Sequence, residues 1–182
     1  RSYETLTLLQ SYASVLTFIC PSGLMGEDVL IACGFTPHVI CQIEQPTTAS
    51  DTMTAVNALV KEGIDLLLFA GGDGTARDLC QAGLTLPVLG IPSGVKMHSG
   101  VFAINPESAA ELIEKLLTGG GVVIEAAEVR DGLGGLLGRG RAAGADGPHG
   151  FVGDNDLAGA MRQLVNHRGE LPLDHGFGVA GL

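Results

Sequence analysis

The sequence predicts an α/β fold in which helices cover both faces of a parallel β-sheet, the arrangement called doubly wound. Segments with strand character alternate with segments of helical periodicity, and glycines follow the helices. The run over residues 66–70 is apolar throughout, which is typical of a parallel strand buried on both faces. It ends in a glycine-rich turn, and ligands bind open α/β sheets at such strand ends. The crossovers between strands are expected to be right-handed.

Local patterns assign the elements in order. β-branched and aromatic residues mark the strands, apolar residues three and four apart mark the helices, and glycines or prolines set the boundaries. The predicted elements are helix 3–12, strand 14–20, helix 27–33, strand 37–43, helix 48–62, strand 66–70, helix 76–82, strand 87–91, helix 106–117, strand 122–124 and helix 155–168. Strands and helices thus alternate through most of the chain.

Two predicted helices begin with capping residues. Thr48 and Asp51 have the spacing of a capping box. Because this helix N-terminus lies at the expected ligand-binding edge, a ligand contact by Thr47, Thr48 and Asp51 is an equal alternative. Ser99 or Asn105 is expected to cap the helix that follows the second strand-end turn.

Length, composition and charge indicate a globular protein with a small-molecule ligand. The 182 residues suffice for one buried core, and 46% of them are hydrophobic. A net charge of −10 gives no electrostatic footprint for nucleic acid or for an anionic membrane surface. The chain starts with Arg1 rather than methionine, so it is expected to be part of a longer product.

Cysteine usage and the absence of targeting signals predict a cytoplasmic protein. The four cysteines show no C-x-x-C spacing and are interpreted as buried, reduced side chains. No apolar run approaches the roughly 18 residues of a membrane span, and no signal peptide is visible.

The turn after the central strand has the composition of a phosphate cradle. Gly71, Gly72 and Gly74 permit positive φ angles and close approach of a ligand, and a helix expected to start near Thr75 would direct N–H groups at an anion. A carboxylate at Asp73 would be repelled by phosphate unless Mg²⁺ bridges the two or the carboxylate acts as a base. The alternative is a tight turn in which Asp73 caps the next helix. The spacing matches neither the dinucleotide fingerprint nor a Walker loop.

A second turn, after the strand over 87–91, is expected to face the same crevice, because parallel strands end at one edge of the sheet. Ser93 and Gly94 lie in this turn. Lys96 is a candidate counter-charge for nucleotide phosphates, and His98 a candidate to orient a hydroxyl or a phosphate. The alternatives are a solvated lysine and a histidine that the backbone of a packed loop satisfies.

These turns resemble those of a known family. Gly-Gly-Asp-Gly-Thr at 71–75 is similar to the signature of the NAD kinase and diacylglycerol kinase superfamily. The run Gly-Ile-Pro-Ser-Gly-Val-Lys-Met-His-Ser-Gly-Val-Phe-Ala at 90–103 resembles the ATP-NAD kinase family, most closely the branch that includes acetoin catabolism protein X. The segment 47–52 and the pair Asn-Pro at 105–106 are also similar to that branch. The resemblance covers about residues 20–130.

The resemblance implies a Rossmann-like nucleotide-binding domain over 1–130 that binds ATP, Mg²⁺ and NAD. The implied activity is phosphate transfer from ATP to a hydroxyl, most naturally the 2′-hydroxyl of the adenosine ribose of NAD, giving NADP. Asp73 would be catalytic, as base or Mg²⁺ anchor. The implied nucleotide-binding residues are Gly71, Gly72, Gly74, Thr75, Thr48, Ser93, Gly94, Lys96 and His98.

Other readings of the resemblance stay open. Relatives commonly form symmetric dimers or larger assemblies, which predicts a homo-oligomer. A non-catalytic nucleotide-binding or regulatory protein of a catabolic, acetoin-type operon is the main alternative. A lipid kinase is a weaker one, since no basic or apolar membrane-facing patch is evident.

Residues 131–182 are interpreted as a glycine-rich linker and the remnant of a second domain. The glycine density over 131–150 predicts a linker or exposed loop. The mainly β domain that follows in the family has no convincing match here. The strand with an Asn-Pro loop with which the family opens has no counterpart before Cys20.

Overall fold

The structure is a computed structural model that describes residues 1–82, 84, 86–94, 97–119, 122–130, 136–145 and 177–180. Within these ranges the helices are α1 (Ser2–Leu8), α2 (Glu27–Ala32), α3 (Ala49–Lys61), α4 (Asp73–Gln81) and α5 (Pro106–Leu117). The strands are β1 (Leu16–Pro21), β2 (His38–Cys41), β3 (Leu66–Gly71), β4 (Val88–Pro92), β5 (Val122–Arg130), β6 (Leu136–Ala145) and β7 (Phe177–Ala180). Short 3₁₀ turns follow α1 and β1 at Gln10–Tyr12 and Gly23–Met25.

One sheet joins the described strands in the order β2-β1-β7-β3-β4-β6-β5. All neighbours in this order are parallel except β6 and β5, which are antiparallel. Strand β7 inserts between β1 and β3 near their first residues, where Leu16 faces Phe177 and Leu66 faces Val179. The sheet is therefore a parallel one with an antiparallel edge.

Strand β3 separates two hydrophobic clusters, one on each face of the sheet. Leu66 and Leu68 pack in the cluster that contains residues of α1, α2 and α5. Leu67 and Phe69 pack in the cluster that contains residues of α3 and α4. Successive side chains of a strand point to opposite faces, so this division confirms the predicted doubly wound α/β fold.

Two predicted helix starts are confirmed by their caps. The carboxylate of Asp51 accepts a hydrogen bond of 2.8 Å from the Thr48 N–H at the start of α3. The side-chain oxygen of Asn105 accepts one of 2.7 Å from the Ser108 N–H at the start of α5. Asn105, rather than Ser99, is thus the cap of α5. Each contact satisfies a backbone donor that the helix itself leaves without a partner.

The glycine-rich segment is more ordered than its composition predicts. The interpretation of 131–150 as linker or loop is wrong for Leu136–Ala145, which forms β6. This strand pairs with β5 along its length and meets β4 where Val88 faces Ala142. Pairing on both sides offsets the weak strand preference of glycine. The helix predicted over 155–168 lies outside the described residues, and the division into two domains stays a prediction.

The cysteines agree with their interpretation as reduced side chains. All four are free; Cys20 and Cys33 are buried, and Cys41 and Cys80 are partly buried. Burial, together with the nearby Glu27, raises the pKa of Cys20 to about 12, so its thiol stays protonated at neutral pH.

No helix in the described part of the chain is long and apolar enough to cross a membrane.

Gly90 in β4 is required by the packing of two phenylalanine rings. The rings of Phe69 and Phe102 lie 5.4 Å apart between centroids. A Cβ atom at Gly90 would lie 2.3 Å from Phe102 Cδ1 and 2.9 Å from Phe69 Cζ, so both rings would have to move.

We expect Gly90→Ala to lower the free energy of unfolding by about 1–3 kcal/mol, because it overpacks this cluster. Urea denaturation measures the change. Gly94→Ala is the matched control, since a Cβ atom there would lie 3.5 Å from Met97 Cγ, an ordinary contact. Equal stability of the two variants would contradict the prediction.

Candidate functional site

Two loops meet where β3 and β4 end. We call residues 71–75 the glycine loop and the described residues 93–94 and 97–99 the second loop. The two strands pair in parallel as far as Gly71 and Pro92. The N–H of Ser93 donates a hydrogen bond of 3.1 Å to the carbonyl oxygen of Gly71. This contact confirms that the two strand-end turns face each other, as the parallel sheet predicts.

Asp73 links the same two loops through its side chain. Its Oδ2 accepts a hydrogen bond of 2.9 Å from the His98 N–H. Its Oδ1 accepts one of 3.0 Å from the Ser99 N–H and one of 2.6 Å from the Ser99 hydroxyl. Asp73 and Ser99 are each only 7% exposed. The carboxylate is therefore directed at the second loop.

These contacts determine the ionisation of Asp73. Burial alone would raise the pKa of its carboxyl group. The hydrogen bonds from the Ser99 hydroxyl and from the N–H groups of His98 and Ser99 outweigh burial and hold the pKa below its usual value. The group is thus ionised at neutral pH, and a carboxylate of lowered pKa is a weak proton acceptor.

The glycines of the glycine loop matter for the space that their missing side chains leave, not for unusual backbone angles. Gly71, Gly72 and Gly74 do not use the positive φ angles that glycine permits, since none of them is among the glycines with positive φ. A Cβ atom at Gly71 would lie 2.5 Å from Thr75 Oγ1, so this glycine lets Thr75 pack against the backbone. A Cβ atom at Gly72 or Gly74 would meet no atom of the described residues within 4 Å. Open space thus borders the loop at these two positions.

Helix α4 begins inside the glycine loop. Its N-cap is Gly72, in an extended conformation, so the helix begins two residues before Thr75, and the alternative in which Asp73 caps it is wrong. No side chain caps this end, and the first intrahelical hydrogen bond runs from the Ala76 N–H to the Gly72 oxygen. The N–H groups of residues 73–75 therefore have no acceptor within the helix. The helix dipole favours an anion at this end.

The remaining predicted residues lie in different surroundings. Ser93 and His98 belong to the second loop and contact the glycine loop through their backbone N–H groups, while both residues are exposed. Gly94 is exposed beside Met97. Thr48 uses its N–H and hydroxyl to contact Asp51, as the capping alternative predicts. Lys96 lies outside the described residues.

Ser99 is a site residue that sequence reasoning missed. The sequence pattern indicates only a candidate helix cap at this position, whereas the Ser99 hydroxyl donates a hydrogen bond of 2.6 Å to Asp73. The two residues are 26 positions apart, so no local pattern connects them. The signal that could have found this contact is the parallel arrangement of β3 and β4, which places the turns after both strands at one edge of the sheet.

The described residues contain no group of three or more His, Cys, Asp or Glu side chains that could hold a metal ion. A Mg²⁺ ion typically keeps several waters and binds through one or two carboxylates and the phosphates of a substrate.

Comparison with known proteins identifies the family. Residues 1–121 match the family model described as the ATP-NAD kinase N-terminal domain. An NAD kinase from Methanosarcina barkeri (strain Fusaro / DSM 804) is 32% identical over 99 residues, which are 53% of this chain and 35% of that protein. The chain thus spans about a third of the length of this curated relative. No solved structure was found to match the chain.

Neither match singles out the acetoin catabolism protein X branch, which stays a prediction. The family match covers well over half of the chain and includes both loops of the site. On this basis, the chain belongs to the ATP-NAD kinase family.

Proposed function

We propose that this chain supplies the phosphate-binding part of an ATP-dependent phosphotransferase, which transfers phosphate from ATP to the 2′-hydroxyl of the adenosine ribose of NAD. The observation that carries the proposal is the uncapped N-terminus of α4 beside the open space at Gly72 and Gly74. Family membership supports the reaction class. The relative's name, NAD kinase, supports NAD as the acceptor.

The first-turn N–H groups of α4 would donate to the phosphate oxygens of ATP. Such donors are fixed before the ligand arrives, so little reorganisation is needed as charge develops during transfer. Phosphoryl transfer depends mainly on positioning and electrostatic stabilisation, because the protein takes little part in the covalent step. An uncapped helix end with open space in front of it provides both.

The second loop would close the site from the other side. Its residues Ser93, Gly94 and His98 are exposed beside the glycine loop. We propose that Lys96 provides counter-charge to the phosphates and that the His98 imidazole contacts a phosphate or hydroxyl. Mg²⁺ would enter with ATP and neutralise phosphate charge when bound. A ligand contact by Thr48 stays a prediction, since its hydroxyl contacts Asp51 in the capping box.

A nucleotide-binding protein without turnover is the second candidate, and Asp73 is the observation that favours it. Its lowered pKa and its three hydrogen bonds to the second loop make it a poor proton acceptor. Neither comparison supports a role in an acetoin-type operon, so that part of the alternative stays a prediction.

The proposed activity predicts NADP formation by the full-length protein from Mg-ATP and NAD. We expect Asp73→Asn to reduce the rate by about a hundredfold or more, because the carboxylate either organises the site or takes part in proton transfer. An enzymatic NADP assay measures the rate, with reactions lacking NAD or Mg²⁺ as controls. Absence of NADP, while ATP raises the melting temperature, would favour the second candidate.

Binding of phosphate at the glycine loop predicts that Gly74→Ala weakens ATP binding without unfolding the protein. Alanine suits a helical position, and its methyl group would enter the space that the ligand needs. We expect the Kd for ATP to rise about tenfold or more, the equivalent of one lost charge-assisted hydrogen bond.

Calorimetric titration with Mg-ATP measures this effect. Gln81→Ala, an exposed position at the other end of α4, is the control and should bind ATP like the wild type. Equal ATP affinity of Gly74→Ala and the wild type would contradict phosphate binding at this loop.

A further inference from the structure

We infer that Asp73 and Ser99 are positioning residues that hold the second loop against the start of α4, and that Asp73 supports ATP binding through this contact. The inference rests on the proposed function and deepens it. We call the pair, with the two N–H groups of 98 and 99, the aspartate clamp.

The clamp is built as a preorganised contact. One buried carboxylate receives three donors, the Ser99 hydroxyl at 2.6 Å and the N–H groups of Ser99 and His98 at 3.0 and 2.9 Å. Hydrogen bonds to an ionised acceptor are about twice as strong as neutral ones. Because donors come from two consecutive residues, the carboxylate fixes the backbone of the second loop and not only one side chain.

The described residues show a further attachment between the loops besides the clamp. The second loop is tied at its start by the Ser93 N–H to the Gly71 oxygen and near its end by the clamp to Asp73. Asp73 is also the first residue of α4, whose N–H groups we propose as phosphate donors. Displacement of the clamp would therefore move the second loop relative to the phosphate-binding helix end.

Because Asp73 is charged, the inference can be tested by whether Asp73→Asn weakens or strengthens ATP binding. A free carboxylate at this site would repel phosphate, so Asp73→Asn would leave ATP binding unchanged or tighten it. In the clamp, the carboxylate is needed to hold the loop, so the same substitution weakens ATP binding. A proton-transfer role for Asp73 likewise gives Ser99 no part in ATP affinity, whereas the clamp requires its hydroxyl.

ATP affinity is measured by calorimetry on the full-length protein for Asp73→Asn, Ser99→Ala and Ser99→Thr. We expect the Kd to rise about tenfold for each of the first two, which each remove a charge-assisted contact, and by no more than about twofold for Ser99→Thr, which keeps the hydroxyl. Ser14→Ala, at an exposed serine outside the site, is the matched control and should behave as the wild type. The double variant Asp73→Asn/Ser99→Ala should bind ATP no more weakly than the single variant with the higher Kd, because both substitutions disrupt the same clamp.

A second measurement needs no nucleotide. Amide hydrogen exchange at His98 and Ser99 should be slow in the wild type and at least about tenfold faster in Asp73→Asn, since their N–H groups donate to the carboxylate. Circular dichroism confirms that each variant is folded.

The outcomes separate the two proposals. Failure of the wild type to bind ATP would overturn the proposed function, while exchange at His98 and Ser99 still tests the clamp. Exchange rates that do not change in Asp73→Asn would overturn the clamp. So would ATP binding by Asp73→Asn or Ser99→Ala that equals or exceeds that of the wild type.

Discussion

Burial of β3 on both faces is the constraint on which the rest of the structure depends. Residues Leu66 to Phe69 are each at most 2% exposed, and each such side chain contributes about 1.5–3 kcal/mol by leaving water. Their alternation divides the helices between two faces of the sheet. Because the strand is fixed by its burial, the chain leaves it at the carboxyl edge of the sheet. The core therefore determines where the glycine loop and the start of α4 lie.

The features that local sequence could predict are those whose determinants are local. The apolar run of β3, the capping residue Thr48 and the Asn105 cap each lie within a few positions of the structure they specify. Strand β7 pairs with residues more than a hundred positions earlier in the chain, and β6 is glycine-rich but paired. Both strands form because they pair with strands that are distant in the sequence. Local sequence patterns do not reveal such pairing, so neither β6 nor β7 was predicted.

The glycine loop shows the same limit within the site. The sequence predicted the loop, its place at the sheet edge and its opposing loop, and it attributed the glycines both to positive φ angles and to close approach of a ligand. In the structure Gly71 makes room for Thr75, and the described residues leave open space at Gly72 and Gly74. The difference between these roles depends on what surrounds a missing Cβ atom, and only the folded arrangement determines that.

The chain carries a net negative charge, so it can bind an anion only where the local arrangement of groups reduces the repulsion. The net charge is −10, and a carboxylate stands at the first residue of α4, the helix that we propose to bind phosphate. At that position the carboxylate is favourable to the helix dipole but unfavourable to a neighbouring phosphate. The three donors of the second loop resolve this conflict, because they turn the carboxylate oxygens toward Ser99 and His98. The charge that would oppose binding then holds the second loop in place, while the N–H groups of α4 stay available for phosphate.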